Sequence, residues 1–172
     1  MIALRPIKHG PNKLDDYLRT HDTVMGQFHD AGFLCNSDLA IEPLHRIYRM
    51  RGGIACLGGI IVTVDKFLEE VESGRSSCIV QTVQYRYNVS VDGAGNVMRY
   101  DNVHSHPGHG DSHHCHRFDW QTDEELRVDW IGAGGWPTLG EVVEESQQWY
   151  WDNRSLLPAP DSIADLSKRQ RC

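Results

Sequence analysis

The stretch CIVQTVQYRYNVSV, residues 78–91, most restricts what this chain can fold into. Ile79, Val83, Tyr85, Tyr87, Val89 and Val91 alternate with Val80, Thr82, Gln84, Arg86, Asn88 and Ser90. Period two marks a strand with one face on a core and the other toward water or a cleft. Gln81 is the departure, a polar residue on the apolar side. DGAG then supplies a turn and NVMRYD a returning strand, so residues 78–101 predict a β-hairpin.

The flanking segments extend this into a mixed fold. HRIYRM through IIVTVD predicts an upstream hairpin, with either Gly52-Gly53 or Gly58-Gly59 at its turn. DKFLEEVESG reads as a short helical turn leading to the next strand. Leu14, Leu18, His21, Met25 and Phe28 recur at steps of three and four, a helical stripe ended by Gly32. Thr138 and Glu141 stand at capping-box spacing, ahead of a stripe of Leu139, Val142, Val143, Trp149 and Tyr150. Gly140 weakens that helix slightly. FDWQTDEELRVDWIG fits no single element. The expected fold class is α+β: an antiparallel meander of about four to five strands, with the N- and C-terminal helices packed on one face. Residues 1–153 form the expected single domain, and 154–172, proline-bearing and polar, a flexible C-terminal tail.

Composition narrows the classes. With 172 residues and 40% hydrophobic content, the chain can bury one core. Its longest apolar run, IACLGGIIVTV, falls well short of the roughly 20 residues of a membrane helix. The N-terminus lacks a signal-peptide pattern, so a cytoplasmic location with no membrane partner is expected. Five widely spaced cysteines without a C-x-x-C argue against a disulfide framework or a cysteine-based zinc site. A net charge of −7 argues against a general nucleic-acid coat protein, but leaves room for a local basic cleft.

Chemistry concentrates in RYDNVHSHPGHGDSHHCHRFDW, residues 99–120. It holds His104, His106, His109, His113, His114 and His116, six of the chain's 10 histidines. One use is metal binding, because imidazole is a common zinc ligand. His104 and His106 would point to one side of an extended backbone, and Asp101, Asp111 or a later histidine would complete a set. HSHPG also resembles the start of the JAMM-type zinc isopeptidase signature, which implies His104 and His106 as zinc ligands. That signature's later serine and aspartate are replaced by His114 and Arg117. A second use is metal-free acid–base catalysis on RNA, whose 2′-hydroxyl is its own nucleophile. Two histidines can serve as acid and base, and Arg86, Arg99 or Arg117 can face the phosphate. A third is a solvated loop that does no chemistry.

The order of motifs around this segment resembles the TumE-type toxins of prokaryotic toxin–antitoxin pairs. The elements are an aromatic strand, a glycine turn, Tyr100-Asp101-Asn102, the step His104-Ser105-His106-Pro107, the cluster His113, His114 and His116, and a helix with Thr138, Leu139, Glu141 and Val142. The likeness spans about residues 80–150. Val103 stands where the family usually has proline, Ser105 separates histidines that are often adjacent, and the spacer GHGDS is shorter than usual. The resemblance implies a toxin acting on RNA or translation, with a helix-turn-helix antitoxin as partner.

The resulting expectation is a TumE-like toxin that cuts or blocks an RNA target, a ribonuclease in the first case, needing no cofactor. His106, His113, His114 and His116 would supply the acid–base pair, and Asp101 would orient one imidazole. Arg86, Arg99, Arg117, Tyr100 and Asn102 would contact substrate. The alternatives are a zinc-dependent hydrolase on His104 and His106, and a non-catalytic binding module.

Overall fold

The computed structural model describes residues 8–74, 77–105 and 107–168. In chain order the strands are β1 (Asn12–Lys13), β2 (Leu34–Ser37), β3 (Ala40–Leu44), β4 (Ile47–Cys56), β5 (Ile60–Ser73), β6 (Cys78–Val91), β7 (Asn96–Asp101), β8 (His114–Asp119) and β9 (Glu124–Trp130). Helix α1 (Leu14–Asp30) follows β1, and α2 (Leu139–Asn153) follows β9. Among the described residues these strands make one nine-stranded sheet in the order β2-β4-β5-β6-β7-β8-β9, with β3 added on β4 and β1 on β6. All pairings are antiparallel.

The class is therefore α+β around an antiparallel sheet, but the sheet is larger than the expected meander of four to five strands. Two misread segments account for much of the difference. DKFLEEVESG continues β5 rather than forming a helical turn, and pairs along β6 as far as Ser73 opposite Cys78. FDWQTDEELRVDWIG is the β8–β9 hairpin. Both are rich in acidic residues whose strand conformation depends on cross-strand partners rather than local preference. The upstream hairpin turns at Gly58-Gly59, each with positive φ (78° and 72°), a conformation that glycine adopts without steric cost. Gly52-Gly53 lies inside β4.

The polar blemish in the first motif also has a structural cause. The β5–β6 register shifts where Phe67 pairs with Gln84 and Leu68 with Thr82, so Val83 is an extra residue. Such a bulge reverses the inward parity of the strand beyond it. Val80 and Thr82 are buried and Val83 is exposed, contrary to strict alternation. Tyr85, Tyr87, Val89 and Val91 remain inside as expected.

Helix placement departs from two equivalent terminal helices on one face. α2 buries Leu139, Val142, Val143, Ser146 and Tyr150, and its capping box is formed: Thr138 accepts from Glu141 N–H, and Glu141 Oε2 accepts from Thr138 N–H. α1 has no fully buried residue and leans on the main core through Tyr17, Met25 and Phe28. The helices cross closely where a Cβ on Gly140 would lie 2.7 Å from Val24 Cγ1, so a larger residue there would push them apart. The chain beyond α2 also contributes: Leu157 joins the main core, while Ala164 and Leu166 cover Ala55 and Ile61 as a second small cluster.

Candidate functional site

Antiparallel β7 and β8 place Asp101 opposite His114, and Arg99 opposite His116. Residues directly opposite share a face, so these four side chains converge. On the other side of β7, Arg86 of β6 pairs with Asp101 and adds an exposed cation. The alternate residues Tyr100, Cys115 and Arg117 point to the helix-bearing side.

The centre of the cluster is sealed. Asp101 and His114 are both 0% exposed. His114 Nδ1 donates to the Ser112 carbonyl at 2.7 Å, and Nε2 lies 3.4 Å from Asp101 Oδ1. Asp101 Oδ1 also accepts from Val103 N–H at 3.2 Å. Its Oδ2 lies 3.3 Å from Arg99 Nε, yet makes no hydrogen bond. His116 Nδ1 donates to Glu125 Oε2 at 2.6 Å. The His114 and His116 rings meet edge to face, with centroids 4.8 Å apart. Of the four converging side chains, those open to solvent are His116, 12% exposed, and Arg99, 34% exposed. Arg99 stands over Phe118, while His109 stacks on Trp130, which also borders His114.

One donor atom each from Asp101, His114 and His116 lies within 4.8 Å of the others. Two histidines and a carboxylate form a donor set suited to zinc or another divalent transition metal. Both imidazoles use Nδ1 on a carbonyl or carboxylate, the arrangement that orients metal-ligating histidines. Zinc bonds are only about 2.0–2.2 Å, so the donors would have to draw closer around an ion.

Several of the remaining expected site residues lie on the other face of the sheet or at its edge. His113 is buried on the helix side, where Nδ1 meets Tyr85 Oη at 3.0 Å and the ring faces Trp136. Burial lowers its pKa, against the opposing pull of Asp111. Tyr100 donates to Glu145 at 2.7 Å, and Arg117 is held by Glu145 at 2.6 Å and Asp129 at 3.3 Å. Asn102 ties down the β6 bulge, accepting from Tyr85 N–H and donating to the Val83 carbonyl. His104 is exposed, and His106 lies outside the described residues. Asp111 pins the loop by accepting from His113 and Ala133 N–H, which lowers its pKa. Of the second histidine cluster, His114 and His116 lie within β8, while His113 immediately precedes it.

Sequence reasoning missed Glu125, the Ser112 carbonyl and Trp130. Glu125 stands in the charged run TDEEL, which carries no local sign of a histidine partner. Only the β8–β9 hairpin brings it to His116.

Comparisons with protein-family models, curated proteins and solved structures give no match. No helix among the described residues is long and apolar enough to cross a membrane.

Proposed function

We propose that this chain is a TumE-like toxin that cuts RNA at a centre formed by Asp101, His114, His116 and Arg99. The carrying observation is the β7–β8 register, which joins two separate pieces of the toxin-like motif order into one cluster. In this reading His116 meets the substrate, because Asp101 and His114 are sealed behind it. Its Nδ1–H is held by Glu125, leaving Nε2 as the basic nitrogen. That nitrogen takes the proton of the RNA 2′-hydroxyl as the 2′-oxygen attacks phosphorus. The bond from phosphorus to the 5′-oxygen breaks, and that oxygen takes a proton from water. Arg99 and Arg86 balance the charge that builds on the phosphoryl oxygens.

A second reading rests on Asp101 Oδ2, a fully buried carboxylate oxygen without a hydrogen bond. Its nearest cation, Arg99, stands 3.3 Å away without forming a hydrogen bond, and a buried carboxyl oxygen gains from a partner that does bond it. A divalent metal held by Asp101, His114 and His116 would meet it, and would supply an activated water or polarise the phosphate. This set differs from the His104 and His106 zinc site expected from the sequence.

Induced expression in a bacterial host, with and without a helix-turn-helix antitoxin candidate, tests the function. Growth should stop and cellular RNA should fragment. Loss of both effects in His116→Ala is expected under either reading, and unimpaired growth with wild-type protein overturns both. Activity of the purified protein in excess chelator separates them, since the metal-free mechanism survives that treatment.

A further inference from the structure

On the helix-bearing side, away from the histidine cluster, a cavity of about 210 Å³ opens between α1, β5 and the start of α2. Lys66 of β5 lines it and is only 3% exposed. Strand alternation explains the position: Val64, Lys66 and Leu68 point inward together, so a lysine occupies a core position. Its ammonium stands 4.9 Å from the centre of the Tyr17 ring. Among the described residues no carboxylate lies within ion-pair distance of it, and no Asp or Glu lines the cavity. Buried lysines are rare unless paired.

The other walls tell what would fit. Val24, Met25 and Leu139 are apolar. Lys8 adds a second cation, itself paired with Glu141 at 3.0 Å. Thr20 and Asn12 supply neutral polar groups. The volume lies below the roughly 300–1,000 Å³ of sites for drug-sized molecules. We propose that this cavity binds a small organic anion, a carboxylate on a short apolar body, with Lys66 as its counter-charge.

The carboxylate would pair with the Lys66 ammonium while the apolar body lies against Val24, Met25 and Leu139. Burial alone lowers the Lys66 pKa from 10.5 to about 7, so the empty site is only partly charged at neutral pH. A bound anion favours the charged form, so binding takes up a proton and weakens as pH rises above about 7. The titratable groups around Lys66 are Tyr17 and His21 of α1, Lys8 and His9 of the N-terminal segment, Tyr85 and Tyr87 of the adjoining β6, and Glu141 of α2. Burial lowers the pKa of His9 and His21 and raises that of Tyr17, Tyr85 and Tyr87. Each of these groups is thereby kept neutral near pH 7, leaving Lys66 to respond there.

Calorimetric titration of the full chain with hexanoate, in two buffers of different ionisation heat, tests the site. One-to-one saturable binding with proton uptake is expected. Lys66→Met should weaken it by about tenfold or more, as should replacing hexanoate by neutral hexanol. Thr20→Trp, at an exposed position on the cavity wall, should block entry while leaving Lys66 in place. It decides the matter if Lys66→Met does not fold. The proposal is overturned if wild-type protein shows no saturable binding, if hexanol binds as well as hexanoate, or if the variants bind hexanoate like wild type.

Discussion

Strands β7 and β8 carry two faces made from alternate residues of the same short stretches. On the helix side, Tyr100 and Arg117 both reach Glu145 of α2, and Arg117 also meets Asp129. Cys115 is buried among them, and burial raises its pKa to about 11. On the opposite side, Asp101 is as deeply buried, yet one of its oxygens has no hydrogen bond, and a histidine and an arginine lead from it toward solvent. Polar groups that satisfy one another serve the fold. A buried carboxyl oxygen with an ion-pair neighbour but no hydrogen bond is where a ligand or a reaction is to be sought.

The sharpest way to break this comparison is to measure growth arrest with changes on each face. His116→Ala should lower RNA cleavage by roughly 10²–10⁴-fold, the usual contribution of a general acid or base. Tyr100→Phe, on the helix face, should leave cleavage near wild type. If the two variants lose activity equally, the faces are not functionally distinct.

Stability should follow the opposite pattern. Tyr150→Ala empties a fully buried position under α2 and should cost about 3–5 kcal/mol in urea unfolding. Glu145→Ala removes the shared acceptor of Tyr100 and Arg117 and should cost about 1–3 kcal/mol. Glu125→Ala on the other face removes a half-exposed partner of His116. It should cost less than about 1 kcal/mol while still reducing cleavage, since the imidazole loses its orienting group.

Acid should also act through the helix side. His9, His21 and His113 all have pKa values lowered by burial, His9 to about 4. The unfolded chain binds their protons first, so their effect on stability is absent above about pH 6.5. Stability should then decline as pH falls toward 4, and His113→Gln should flatten the upper part of that decline in melting curves. Among the helix-side changes the smallest loss of stability is expected from Thr138→Ala, which removes the α2 cap and should cost about 1 kcal/mol.

Much of the framework was legible locally. The β6–β7 hairpin, both helices, the Thr138 cap and the inward set Tyr85, Tyr87, Val89 and Val91 follow from periodicity and turn chemistry. The β5 extension and β9 were not legible, because acidic strands declare themselves only through the neighbours they pair with. Val83 shows the same limit at one residue: nothing in CIVQTVQYRYNVSV says that the strand bulges there.

For the site, the sequence by itself determined that imidazoles, carboxylates and arginines crowd residues 99–120 and that a strand leads into them. It did not determine which of them meet. His113 and His114 are adjacent in the chain yet face opposite sides of the sheet, one toward Tyr85 and the other toward Asp101. Glu125 joins the cluster from another strand, and Lys66 lines a cavity on the other side of the sheet. Side-chain direction in a sheet is set by register, and register is fixed by the pairing of distant segments. Composition therefore supplied the groups, and only the tertiary structure sorted them into a face that gathers Asp101, His114, His116 and Arg99 and a packed one.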